Sequence, residues 1–171
     1  MSPSRRPFSV AALALGFFAF ALGPPLLADD WAQWRGPDRN GHVDVFKAPA
    51  AWPAAPEQRW RVEVGEGYTS PVVVDGTIYL MARQGEDEVA MALDLATGKT
   101  LWRSSFPAPY VPHQAAVKYG KGPKATPVVA DGVACFLGID ARFSCHDAES
   151  GKVLWVRDYS EKSAPEETFC G

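Results

Sequence analysis

Short runs of β-branched and aromatic residues, each interrupted by an Asp-Gly pair, fill the middle of the chain. Thr69-Ser70-Pro71-Val72-Val73-Val74-Asp75-Gly76-Thr77-Ile78-Tyr79-Leu80 returns as Ala125-Thr126-Pro127-Val128-Val129-Ala130-Asp131-Gly132-Val133-Ala134-Cys135-Phe136. Asp-Gly between two such runs predicts a tight hairpin, because both residues tolerate the positive φ that the turn demands. Downstream, Ala92-Leu93-Asp94-Leu95-Ala96-Thr97-Gly98-Lys99-Thr100-Leu101-Trp102 returns as Cys145-His146-Asp147-Ala148-Glu149-Ser150-Gly151-Lys152-Val153-Leu154-Trp155. The two Gly-Lys pairs lie 53 residues apart, as do the two Trp residues, so this half of the unit repeats without a gap. It predicts a second hairpin, with Gly98 or Gly151 at the turn.

Two hairpins make four strands. A four-stranded unit that repeats and cannot bury its own faces predicts neighbouring blades of an all-β propeller. Trp60-Arg61-Val62 stands before the first unit much as Trp102-Arg103 stands before the second, so residues 58–64 read as a lone outer strand. The expected fold is a partial β-propeller of about two four-stranded blades plus one extra strand. Propellers close with roughly 4 to 8 blades. The chain is therefore expected to be the front part of a longer protein, whose remaining blades are its first partners; the alternative is several copies assembling one ring.

The flanks differ from this core. Arg5-Arg6, the apolar stretch Phe8–Leu22, Gly23-Pro24-Pro25 and the polar switch at Asp29-Asp30 have the parts of a secretory signal peptide, with cleavage expected near Ala28. The apolar stretch is short for the roughly 20 residues that span a bilayer, so no membrane span is expected after cleavage. The division expected is 1–28 signal peptide, 29–57 extended lead-in segment, 58–158 incomplete propeller, and 159–171 the cut-off start of a further connection. The product is expected in the periplasm or outside the cell. A formal charge of −3 without a long basic run argues against nucleic acid as a partner.

The pattern formed by Ala92, Asp94, Thr97, Gly98, Lys99 and Trp102 resembles the tryptophan-docking motif of the pyrroloquinoline-quinone-like (PQQ-like) propeller repeat. The second copy presents Cys145, Asp147, Ser150, Gly151, Lys152 and Trp155 at the same places. Gln33-Trp34-Arg35-Gly36-Pro37 with Gly41 is similar to the opening segment of secreted bacterial members. The resemblance covers about residues 31–158 and implies a quinoprotein-like fold in which each Trp stacks between blades on a neighbouring Gly peptide. It implies a structural role for the twelve motif residues and none in catalysis.

The superfamily includes quinoprotein dehydrogenases, which use a calcium ion, a carboxylate base and a pair of adjacent cysteines. No two of Cys135, Cys145 and Cys170 are adjacent. The catalytic set is not visible, and the function expected is that of a binding or scaffold protein in the cell envelope, without cofactor. Two alternatives stay open. The chain could begin a PQQ-dependent dehydrogenase whose active residues, with PQQ and calcium, fall in absent blades, or an outer-membrane-protein assembly factor.

Other residues carry smaller expectations. Cys135 and Cys145 fall opposite each other if they flank a five-residue turn. A disulfide there is open, but a buried free thiol is preferred because Cys145 fills the motif's small Ala position. His42, His113 and His146 are scattered without the spacing of a zinc site. Glu86-Asp87-Glu88 reads as a solvated turn. About 14 extra residues between the two blades form a connector with Tyr110, His113, Lys118, Tyr119 and Lys121 and no acid from Ser104 to Ala130. Binding residues gather on such loops. An anionic or carbohydrate-like ligand, or an envelope protein, is the partner expected there, against the plainer reading of a Pro-stiffened cover.

Overall fold

The computed structural model describes residues 30–43 and 46–159. The expected signal peptide, Cys170 and nearly all of the segment 159–171 lie outside them. The described chain is all-β, a partial β-propeller of two four-stranded antiparallel blades. The first blade is β1 (Val72–Val74), β2 (Thr77–Gln84), β3 (Asp87–Asp94) and β4 (Thr100–Pro107); the second is β5 (Val128–Ala130), β6 (Val133–Leu137), β7 (Arg142–Asp147) and β8 (Val153–Asp158). In each blade the strands follow one another in space as they do in sequence.

The predicted turns have the predicted chemistry. Asp75 and Gly76 sit at φ 48° and 71°, and Asp131 and Gly132 at 49° and 75°, the pair of positive values that a two-residue hairpin turn requires. Val74 then pairs with Thr77 and Ala130 with Val133. At the other hairpins the ladder shifts by one residue between Ala92 and Leu93 and between Cys145 and His146, so both blades carry their irregularity at the same repeat position.

Strand alternation divides the first sheet into two buried faces. Tyr79, Met81, Ala90, Ala92, Trp102 and Phe106 meet Val129, Ala134, Phe136 and Ala148 of the second blade in one apolar cluster. Ile78, Leu80, Ala82, Val89, Met91 and Leu93 form the opposite face, covered by Trp60 and Val64 of the preceding segment. With both faces covered, β2 and β3 read as near-continuous apolar runs. The second sheet has only its near face covered. On its far side Val128, Leu137 and Trp155 are each 40–44% exposed.

The sheets approach each other through β1 and β5. Residues 30–33 straddle this hub: Trp31 exchanges two backbone hydrogen bonds with Val73, and Val129 N–H donates to the carbonyl of Ala32 at 2.9 Å. Residues 58–64, expected as an outer strand, join neither sheet by a ladder. The segment regains the sheet at Glu66, which exchanges hydrogen bonds of 2.9 and 2.7 Å with Arg83 beyond the end of β1.

Two expectations are corrected here. Cys135 and Cys145 form a disulfide in place of the free thiol. They are direct cross-strand partners with Cα atoms 4.1 Å apart, so a small-residue position on β7 also satisfies the geometry of a bridge to β6. The bridge lies on the far face, clear of the blade joint. The connector, expected as loop, contains a 3₁₀-helix at Gln114–Tyr119, with the His113 Nδ1 accepting a hydrogen bond from Ala115 N–H at 3.2 Å.

Gly132 and Gly151 test how much of this order lies between blades. They share nearly the same backbone, φ 75° and 72°, but a Cβ at Gly132 meets nothing within 4 Å while one at Gly151 lies 2.5 Å from the Trp102 ring. Gly132→Ala is expected to cost about 1–2 kcal/mol for the left-handed backbone, and Gly151→Ala roughly 1–3 kcal/mol more for overpacking. Denaturant titration of both variants checks the difference; equal losses would show that the indole does not hold the joint.

Candidate functional site

The site most fully built by the sequence is the joint between blades. The Asp94 side chain accepts hydrogen bonds from the Thr97 hydroxyl at 2.6 Å and the Thr97 N–H at 2.8 Å, while Gly98 N–H donates to the Asp94 carbonyl at 2.8 Å. Asp147 repeats this with the Ser150 hydroxyl at 2.5 Å, the Ser150 N–H at 2.8 Å and the Gly151 N–H at 2.9 Å. Those donors, hydroxyl first, hold both carboxyls below the usual carboxylate range. The Lys99 and Lys152 amides reach back to Thr97 and Ser150 oxygens at 3.3 Å, while both lysine side chains stay exposed.

The turn so fixed presents a bare glycine peptide to an indole. Trp102 Nε1 donates to the carbonyl of Ala148 at 2.8 Å, and its ring lies against Gly151. Trp60 Nε1 donates to the carbonyl of Leu95 at 3.0 Å, and its ring lies against Gly98. In each case the acceptor stands three residues before the glycine, so Trp60 makes with the first blade the joint that Trp102 makes with the second. Trp155, expected in the same role, stays 42% exposed and meets Phe143 edge-on at 5.2 Å. Among the described residues no third turn faces it. Ala92 and Cys145 stand directly across from Trp102 and Trp155 on the neighbouring strands, where small side chains leave room for the indoles.

Sequence reasoning missed His146. It is 1% exposed, stacks on Trp102 at 5.8 Å and 12°, meets Phe136 edge-on at 5.5 Å, and places its ring nitrogens 3.1 Å from the Gly151 carbonyl and 3.0 Å from the Ser144 hydroxyl. Burial lowers its pKa, favouring the neutral ring. Tyr79, its phenol pKa raised chiefly by burial, donates at 3.3 Å to the same Ala148 carbonyl that Trp102 uses.

Glu88 was missed as well. It is not part of a solvated turn: the turn is Gly85-Glu86, and Glu88 lies within β3 with no exposed surface. Its Oε1 accepts a hydrogen bond from Ile139 N–H of the second blade at 2.9 Å, and Oε2 is buried without a partner. Burial pushes its pKa up to about 7; Asp140 adds to the rise, while the Ile139 amide, Arg83 and Lys124 oppose it. Nearby, Arg83 is 3% exposed and its guanidinium reaches the Gly85 carbonyl at 3.0 Å, the Ala108 carbonyl at 2.9 Å and Glu86 Oε2 at 2.9 Å. The neighbours of an acidic triplet gave only one signal, the strand alternation of β3 that turns Glu88, Ala90 and Ala92 to the same side.

The connector residues do not converge. Tyr110 is buried, 6% exposed. His113 and Lys118 are exposed, Lys118 lies over the Tyr119 ring at 4.9 Å, and Lys121 is half-buried 4.0 Å from Glu86 Oε1. The Trp residues at the joint do not fit a stacked quinone, since Trp102 is 8% exposed and Trp60 covers Gly98. Among the described residues no group of three or more His, Cys, Asp or Glu is placed to hold a metal ion.

Four-stranded blades joined by an indole on a glycine peptide define a propeller repeat. The sequence model of the family described as outer membrane protein assembly factor BamB matches residues 49–121, which include Trp60 and the whole first blade. With the blade geometry, this match supports a PQQ-like β-propeller repeat. No curated protein matches it. Similar solved structures include BamB from Moraxella catarrhalis, 20% identical with TM-score 0.43 over 58% of this chain and 26% of that one. A europium-containing methanol dehydrogenase is 22% identical with TM-score 0.40, over 55% of this chain and 16% of that one. The quinohemoprotein alcohol dehydrogenase ADHIIG from Pseudomonas putida HK5 is 25% identical with TM-score 0.39, over 55% and 13%. The chain thus spans about a quarter or less of the length of these proteins.

Glu88 makes the joint pH-dependent. A carboxyl whose folded pKa is raised holds a proton that the unfolded chain has released, so its contribution is whole below about 4.5, falls as pH rises toward 7, and is gone above. A shift of that size corresponds to on the order of 3 kcal/mol. Glu88→Gln, which carries no charge, should gain on wild type by up to that amount between pH 5 and pH 8. His146 titrates in both proteins and cancels in the comparison. Parallel pH profiles in urea titrations would refute the assignment.

Proposed function

We propose that the chain is an exported binding or scaffold module of the cell envelope. The observation that carries this reading is how the motif side chains are used. Asp94 and Asp147 are satisfied within their own turns, and Trp60 and Trp102 are committed to the joints. The repeat therefore builds a rigid frame, and the polar groups left available stand on its loops, among them His113 and Lys118 of the connector. The match over 49–121 to a family described as an outer membrane protein assembly factor supports an envelope role. The N-terminal Arg-Arg, the apolar stretch and the polar switch at Asp29 support export. No helix among the described residues is long and apolar enough to cross a membrane.

Expressed from its complete gene with a C-terminal tag in the native host, the protein should appear in the envelope or culture fluid with its N-terminus cut near Ala28. The purified protein should show no quinone absorbance and no alcohol-dependent dye reduction. An uncut cytoplasmic product would refute export. A bound quinone with dye-linked alcohol oxidation would replace the scaffold by a PQQ-dependent dehydrogenase.

A further inference from the structure

The blade joints leave residues 33–42 unexplained. This segment folds into a tight knot beside the hub where β1 and β5 approach. Gly36 N–H donates to the Gln33 carbonyl at 3.1 Å, Arg39 N–H to the Gly36 carbonyl at 3.1 Å, and Gly41 N–H to the Arg35 carbonyl at 2.9 Å. Side chains tighten it: Gln33 Nε2 donates to the Pro37 carbonyl at 2.8 Å, Arg39 Nε to Gln33 Oε1 at 2.9 Å, and Arg35 Nη2 to the Asn40 carbonyl at 3.0 Å. Gly36 presses so closely on the Trp31 ring that a Cβ there would lie 2.7 Å from it. Trp31 in turn is hydrogen-bonded to β1, so the knot is anchored to the blades.

The two arginines are costly where they stand. Arg35 and Arg39 have φ of 62° and 55°, in the left-handed region that glycine or asparagine enters more easily. Their side chains nevertheless remain exposed. Each makes a hydrogen bond to a neutral oxygen, and neither forms an ion pair with a described carboxylate. Trp34 is 58% exposed, with the Arg35 guanidinium 5.3 Å from its ring centre. The acids of the segment do not neutralise them: Asp38 points to solvent exposure, and Asp30 accepts a hydrogen bond from Asp75 N–H at 3.0 Å.

We propose that this knot is a binding site for an acidic sugar, one whose ring bears a carboxylate or sulfate. An exposed indole offers a flat apolar surface for the C–H face of a sugar ring, while guanidinium groups recognise carboxylate or sulfate with paired N–H donors. The hydrogen bonds of the knot hold the two guanidinium groups before a ligand arrives, which lowers the ordering cost of binding. The site rests on this geometry and not on where the protein is exported.

Titration of the purified full chain with polygalacturonate, with neutral dextran and polyphosphate as controls, tests it. Polygalacturonate should bind at low salt, dextran should not, and polyphosphate should bind more weakly. Trp34→Ala and Arg39→Gln should each weaken polygalacturonate binding at least tenfold. Arg39 also braces the knot, so melting curves accompany both variants; Trp34 makes no bracing hydrogen bond, and its variant decides the matter if Arg39→Gln melts early. Absence of polygalacturonate binding, binding of polyphosphate with equal strength, or binding unchanged in Trp34→Ala would each overturn the site. Localisation of the protein is measured separately, so a failure of export and a failure of the site are distinguishable.

Discussion

The structure depends on one contact, an indole laid on a glycine peptide with its N–H aimed at a carbonyl three residues upstream. Everything local serves it. The Asp94 and Asp147 carboxylates fasten the turns, the glycines take a left-handed φ that clears the ring, and Ala92 or Cys145 leaves space across the strand. A single blade has two apolar faces and cannot hide both. Burying a ring of up to about 250 Å² in each joint gives neighbouring blades a strong and directional reason to stack.

That contact was largely legible in the chain because each of its parts is a matter of residue type at fixed spacing. Asp-Gly demands a hairpin, and a glycine 53 residues after another in a gapless repeat demands the same turn. The residues that escaped sequence reading are those whose state is set by what packs against them. Glu88 stands in an acidic triplet, and only the arrival of Ile139 from the second blade turns it into a buried group. His146 stands beside a cysteine, and only Trp102 makes it part of the joint. Tyr110 was counted with an open loop, but its side chain is buried. Cys145 was judged by its motif position, whereas its cross-strand partner decided its chemistry.

The two titrating groups at the joint work against each other. Burial disfavours the charged form of both, so Glu88 favours the acid side and His146 the neutral side. Both are buried, where rearrangement around a new charge is costly. The disulfide lies on the far face with Trp155 and does not take part in this balance; it ties β6 to β7 behind the joint.

The carbonyl of Ala148 receives two donors from the first blade, the Trp102 indole of β4 and the Tyr79 phenol of β2. Two struts from different strands meeting at one pivot oppose twisting as well as separation. Leu95, the matching point on the first blade, takes a single donor from Trp60. The second joint is accordingly braced from two strands, while at the first the preceding segment is held by the Trp60 indole together with the Glu66–Arg83 hydrogen bonds and the Gln84 amide on the Val64 carbonyl.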